Sequence, residues 1–189
     1  MKVFVSSRFT GMEAFRVAAC TAIRDLFHEP ITVEDFPARA QSPRVACLDG
    51  VRQSGLVVLI LGASYGDPQQ PSGLSATHEE FREARESRDV LAFVQEGVDP
   101  EPAQAAFIKE VSDWSAGALR RTFRTPEELR GKVTGAISQW QLARAAGPVN
   151  ETALVSKAKA LIPAEQRNTT LPHRPRVVLT IASGPAQAV

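Results

Sequence analysis

Aromatic residues are scarce in this 189-residue chain, at 6% with a single tyrosine, and it holds only two cysteines and three histidines. Cys20 and Cys47 lie apart, inside apolar helical patterns, so neither a metal-ligand spacing nor a disulfide framework is present, and no metal is expected. Both are read as buried, reduced thiols. Charge of one sign is lacking too: 22 Lys and Arg against 21 Asp and Glu leave a formal charge of +1. That balance excludes the basic surface by which proteins coat nucleic acid. The longest apolar run, Leu56 to Gly62, falls far short of the roughly 20 residues that cross a bilayer. The N-terminus opens on a lysine and a short β-rich segment rather than the apolar helix and cleavage site of a secretory signal. These absences predict a soluble cytoplasmic protein with no nucleic-acid or membrane partner.

What remains is an ordinary globular composition, 43% hydrophobic and 23% charged, in a length that suits one domain plus an appendage. Lys2 to Ser6 reads as a buried strand. Apolar residues recur at helical spacing from Gly11 to Phe27, with Glu13, Arg16 and Arg24 mostly off that stripe. Ile31 to Phe36 returns to β-type residues, and Ser42-Pro43 supplies the cap and first-turn proline of a helix running to about Gln53. Gly55 to Gly62 contains six apolar residues without a polar break, as a central parallel strand covered on both faces requires. A glycine- and proline-rich loop, 63–74, leads to a helix beginning at Ser75. Val90 to Val94, Ala103 to Trp114, Ala118 to Phe123 and Pro126 to Ala146 continue the alternation as strand, helix, strand and helix.

Such alternation predicts a doubly wound α/β domain of about five parallel strands in three layers, spanning residues 1–146. Ligands of such sheets bind beyond the carboxyl ends of the strands. Residues 147–189 break the pattern. They are read as a short helix near Glu151 to Ile162, a polar linker and a strand at Val177 to Ile181, which either joins the main sheet or starts a further domain.

The candidate site residues follow from that geometry. Ser6, Ser7 and Arg8 end the first strand, where hydroxyls and a guanidinium can hold phosphate or ribose; termination of the strand is the competing reading. The loop has neither a Gly-x-Gly-x-x-Gly fingerprint nor a Gly-Lys-Ser/Thr phosphate loop, which argues against a Rossmann dehydrogenase or a P-loop NTPase. Gly62 and Gly66 let backbone approach a ligand beside Tyr65, an aromatic wall with a hydroxyl, or else form a tight turn. Ser75 and Thr77 open a helix, as ligand contacts or as caps. Helical spacing sets Glu80 at the edge of the covered face and turns Glu79 away. A partly desolvated Glu80 can stabilise or attack the oxocarbenium-like carbon of a breaking glycosidic bond. His78 is read as a solvated helix residue, and Glu34-Asp35 as solvated acids at a strand end.

Several stretches occur together in one order: Lys2-Val-Phe-Val-Ser-Ser-Arg-Phe9, Glu34-Asp-Phe36, Ser42-Pro43, Cys47-Leu48 with Val51 and Ser54, Leu61-Gly-Ala-Ser-Tyr-Gly66, and Gly73-Leu-Ser-Ala-Thr-His-Glu-Glu-Phe81 with Ala84. Over about residues 1–110 this set resembles the domain of unknown function DUF4062. That family is similar to Toll/interleukin-1 receptor (TIR) domains and nucleoside 2-deoxyribosyltransferases, which implies a flavodoxin-like fold. The resemblance implies an N-terminal effector or sensor domain of a signalling or antiviral defence protein. Its ligand would be a nucleotide, with NAD as substrate of an NAD glycohydrolase (NADase) and no cofactor required. Other protein domains or self-association would be its partners. The family's Thr-Glu-x-Glu-Tyr maps onto Thr77-His78-Glu79-Glu80-Phe81, which gives Glu80 the catalytic position. His78, Phe81 and Arg8 depart from the family's usual acid, Tyr and Thr. A non-catalytic TIR-like interaction module is the alternative, and a deoxyribosyltransferase a more distant one, since paired aspartates for a nucleobase have no counterpart.

Overall fold

The computed structural model describes residues 1–35, 42–114 and 121–147, together with the helical residues Thr152, Ser156, Lys157 and Ala160. Contacts divide the chain into two units, Met1–Gly147 and Pro148–Val189, and the architecture below is that of the first. Its elements run β1 (Lys2–Ser7), α1 (Glu13–Asp25), β2 (Glu29–Ile31), a 3-10 turn (Val33–Asp35), α2 (Pro43–Gln53), β3 (Leu56–Leu61), α3 (Ala76–Ser87), β4 (Asp89–Gln95), α4 (Pro102–Trp114), β5 (Arg121–Phe123) and α5 (Pro126–Ala146). The strands form one sheet in the order β2-β1-β3-β4-β5, and every pair is parallel. This is the flavodoxin-like order, with its reversal of direction between β1 and β3.

Side-chain parity sorts the core into two layers, because successive residues of a strand point to opposite faces. Val3 and Val5, Leu56, Val58 and Ile60, and Phe93 pack on one face against Ala19 and Ile23 of α1 and Leu129, Val133 and Ile137 of α5. Phe4, Val57, Leu59, Leu61 and Val94 face the other way, onto Val51 of α2, Phe81 and Ala84 of α3, and Phe107 and Val111 of α4. β3 is buried along its whole length, which is why its sequence shows no polar break.

Three helices start on side-chain caps. Ser42, Ser75 and Thr125 accept hydrogen bonds from Val45, His78 and Glu128 N–H, at 3.4, 3.4 and 3.2 Å, with Pro43 and Pro126 at the first positions of α2 and α5.

The second strand differs from the sequence reading. It is Glu29–Ile31, not Ile31 to Phe36, and Val33-Glu-Asp35 turns as a 3-10 helix. Among the described residues β2 is an edge strand that pairs only with β1, and its central residue is Pro30, which can occupy an edge because it has no ladder N–H to donate. The first helix is likewise shorter than Gly11 to Phe27. It ends where Phe27 turns to a positive φ of 57°. The segment of strand five before Arg121, residue 36, the remainder of the helix near Glu151 to Ile162 and the strand at Val177 to Ile181 lie outside the described residues. Among the described residues, no helix is long and apolar enough to cross a membrane.

Candidate functional site

The reversal between β1 and β3 opens a crevice at the carboxyl ends of the strands. There a cleft of about 260 Å³ is lined by Ser7, Arg8, Tyr65, Gly66, Ser75, Thr77 and Glu80 among its residues. Two further sequence candidates stand outside its lining. Ser6 lies behind it, and Gly62 borders a recess of about 10 Å³ beside it, enough for about one water. The closest neighbours of a side chain at Gly62 would be Met12 Sδ at 2.8 Å and Gln95 Oε1 at 3.1 Å. Its carbonyl is held by the buried Gln104 side chain at 2.9 Å. The tight approach at Gly62 is therefore to the protein's own side chains. Gly66, at φ 87°, lines the cleft and packs beside Ser75 and Arg8.

Glu80 forms part of the cleft wall, on the second turn of α3, and is 6% exposed. Phe4 and Ser6 share one face of β1, the face that α3 covers. Parity thus directs the Ser6 hydroxyl at the carboxyl, to which it donates at 2.6 Å. The Cys47 thiol, from α2, donates to the same carboxyl. Burial pushes Glu80 up to about 7, against the two hydrogen bonds that favour its ionised form and with a small push from Glu79. Burial, with the neighbouring Glu80 charge, pushes the Cys47 thiol up to about 12. Cys47 is accordingly a donor at this site and a poor nucleophile. No ion pair to Glu80 occurs among the described residues. Its bonds reach β1 and α2, so the carboxyl does not cap its own helix.

Glu79 departs from expectation. It is buried rather than turned to solvent, and its Oε2 accepts from Arg44 Nε of α2 at 2.7 Å. That bond holds the Glu79 carboxyl below the usual range. The first turns of α3 are enclosed between α2 and α4, so every residue from Thr77 to Phe81 is buried, a wider band than an amphipathic stripe.

His78 is also buried, not solvated. Its ring stacks on Phe107 of α4 with centroids 4.0 Å apart. Nδ1 lies 2.8 Å from the Tyr65 hydroxyl and Nε2 lies 3.0 Å from Glu110 Oε2. Tyr65 Oη in turn accepts from Ser75 N–H at 3.3 Å, while the Tyr65 N–H donates to Glu101 at 2.9 Å.

The opening loop is shaped from behind by Arg16, which the helical pattern set off the apolar stripe. Arg16 is nevertheless buried. Its guanidinium donates to the carbonyls of Arg8 at 3.3 Å and Phe9 at 3.0 Å, pairs with Glu34, and lies 4.5 Å from the Phe9 ring centroid. Glu34, on the 3-10 turn, is exposed as the sequence predicts, and it also pairs with Arg16. Arg16, Phe9 and Cys47 line the cleft as well, and sequence reading passed over them as site residues because each depends on a partner from another element; Glu34, read there as a solvated acid, lines it too. Arg8 lines it without an ion-pair partner among the described residues. Nor do those residues include a cluster of three or more His, Cys, Asp or Glu side chains able to hold a metal.

The family described as Domain of unknown function (DUF4062) matches residues 2–139. No curated protein matches the chain. Among solved structures, the chain is similar to the CMP N-glycosidase BcmB of Clostridium botulinum at 15% identity and a TM-score of 0.46, covering 70% of this chain and 98% of that one. It is similar to the TIR domains of the RPS4 and RRS1 heterodimer at 13% identity and a TM-score of 0.45, with 74% and 97% covered. A flavodoxin-like domain from Synechococcus matches at 14% identity and a TM-score of 0.43, with 75% and 99% covered.

Proposed function

We propose that this chain, which belongs to the DUF4062 family, binds a nucleotide such as NAD over Glu80 and cleaves its N-glycosidic bond. The observation that carries the reading is a buried carboxyl, raised to about 7, held by two donors and lining a cleft at the topological reversal of the sheet. An acid whose pKa is strongly raised by burial and which lines a cleft is a candidate functional group.

The chemistry follows from what Glu80 lacks. With no cationic partner among the described residues, its ionised form gains most from a ligand that brings positive charge. The pyridinium of NAD does so in the ground state, and the oxocarbenium-like ribosyl carbon does so as the bond breaks. The C1′–N bond cleaves with its electron pair going to the ring nitrogen, so nicotinamide leaves neutral. Water adds at C1′ and releases one proton. Glu80 stabilises the cationic carbon, and the donors Ser6 and Cys47 keep its oxygens oriented. A volume of about 260 Å³ lies near the lower end of ligand pockets, which suits the nicotinamide riboside portion. Arg8, Ser7 and the amides opening α3 would meet phosphate at its edge.

The test incubates the purified chain at high concentration, with a crowding agent to permit self-association, and follows nicotinamide release from NAD. CMP and a deoxynucleoside with free base run as parallel substrates, beside a Glu80→Gln control. Release by the wild type alone supports the glycohydrolase. Base exchange would move the reading to a deoxyribosyltransferase. No turnover and no calorimetric binding would move it to a non-catalytic interaction module of a signalling or defence protein.

A further inference from the structure

The buried His78 takes no part in the chemistry above, yet it stands behind a residue that does face the cleft. Four groups form a chain: Ser75 N–H, the Tyr65 hydroxyl, the His78 imidazole and the Glu110 carboxylate, with successive separations of 3.3, 2.8 and 3.0 Å. Glu110 also accepts from Arg82, at 3.1 Å, and from Arg85, at 3.4 Å. Burial raises this carboxyl, but Arg82 and the hydrogen bond to the His78 ring outweigh it and hold Glu110 below its ordinary range.

The hydrogen positions along this chain are determined by its two ends. A carboxylate can only accept, so His78 Nε2 carries a proton. A backbone N–H can only donate, so Tyr65 Oη accepts from Ser75. A neutral imidazole with its proton on Nε2 has a lone pair on Nδ1. The Tyr65 hydroxyl proton then has one destination, His78 Nδ1. Burial lowers the imidazole below the ordinary histidine range; Glu110 opposes that shift and Arg82 adds to it. Those two, with the Tyr65 hydroxyl, are the charged and titratable groups facing the ring, whose flat side is covered by Phe107.

We propose that His78 is a positioning residue that commits the Tyr65 hydroxyl proton away from the cleft, so that Tyr65 meets the ligand as a hydrogen-bond acceptor and selects a donor such as a sugar hydroxyl. The ligand class rests on the nucleotide reading above; the orientation of Tyr65 does not. Phe107 fixes the ring plane, Glu110 fixes the tautomer, and Ser75 ties the phenol to the first turn of α3. A ligand presenting a phosphate or carbonyl oxygen to Tyr65 would find no proton there. Recognition of anions is left to Arg8, which packs beside Gly66.

Nitrogen NMR of the imidazole at neutral pH tests the orientation without a ligand. The expected spectrum is a neutral ring protonated on Nε2, and a ring protonated on Nδ1 overturns the proposal. The ligand arm uses NAD turnover, or calorimetry with ADP-ribose. His78→Phe keeps the stack on Phe107 but removes the acceptor. Its expected effect is a rise in KM or Kd of up to about tenfold with kcat little changed. His78→Asn restores part of the affinity, because its amide oxygen can accept from Tyr65. Combining His78→Phe with Tyr65→Phe should cost no more than the larger single loss, whereas fully additive losses would overturn the coupling. A wild type that neither turns over NAD nor binds ADP-ribose sinks the nucleotide reading, and the imidazole spectrum still decides the role of His78.

Discussion

Ser6 Oγ and Glu80 Oε2 lie 2.6 Å apart, although 74 residues separate them in the chain. Ser6 is the penultimate residue of β1 and Glu80 stands on the second turn of α3, and the packing of α3 over the face of β1 that carries Ser6 brings them together. Through this bond β1 acts on the acidity of Glu80, favouring its ionised form.

Glu80 should make the fold less stable as pH rises. Its folded pKa, about 7, lies above the ordinary 4.5, so between those values the native state holds more proton than the unfolded one, and stability declines across that window. Replacement by Gln removes the titration while keeping an acceptor for Ser6. Thermal unfolding is expected to show Glu80→Gln more stable than wild type at pH 8, by up to about 3 kcal/mol. At pH 4 the two should nearly coincide, and an unchanged difference across the range would contradict the assignment.

Removing either donor should raise the Glu80 pKa further, since both hydrogen bonds favour the charged form. If turnover needs ionised Glu80, the acidic limb of its pH profile should lie near 7 in the wild type. Ser6→Ala should then move it upward by about 1 pH unit, and Cys47→Ala by less, a thiol being the weaker donor. Cys47→Ser should restore the wild-type limb or shift it lower. Profiles that superimpose across all four proteins would separate Glu80 from the rate.

Arg44 and Glu79 offer a contrast, an acid whose pKa is lowered. Glu79 is buried while the Arg44 side chain is 42% exposed. Arg44→Ala leaves a buried carboxylate with its charge uncompensated and should lower the midpoint of denaturant titration. Adding Glu79→Gln should recover most of that loss. The stabilisation from this pair is present above the ordinary carboxyl pKa of 4.5 and is lost as pH falls through the lower folded value.

Arg16→Ala should loosen the opening loop, because two carbonyls and Glu34 lose their donor at once. A loss of roughly 2 kcal/mol is expected, with faster proteolysis near Arg8. Arg16→Lys should rescue little, since one ammonium cannot reproduce the planar fork. Equal stability of the Lys variant and wild type would show that charge alone suffices.

Much of this arrangement was legible beforehand because it is written in local periodicity. The unbroken run of β3, the apolar stripe of α1 and the caps at Ser42 and Ser75 each report their own element. Seven of the nine candidate positions came together on one cleft because a parallel sheet places strand ends and helix starts on the same edge. What escaped were properties created by a distant partner. His78 is buried by Phe107, 29 residues away, Glu79 by Arg44, and Arg16 by backbone carbonyls that no residue pattern encodes. β2 escaped for the opposite reason: three residues at an edge, one of them Pro30, carry almost no strand signal of their own.

The grip of Arg16 on the first loop engages the carbonyls of Arg8 and Phe9, atoms that every amino acid possesses. The contour of that rim thus rests mainly on backbone atoms, with the Phe9 ring the side chain that Arg16 also touches. Arg8 can be exchanged to suit another ligand while the frame that presents it stays in place, so this edge of the cleft is where the domain is free to diversify.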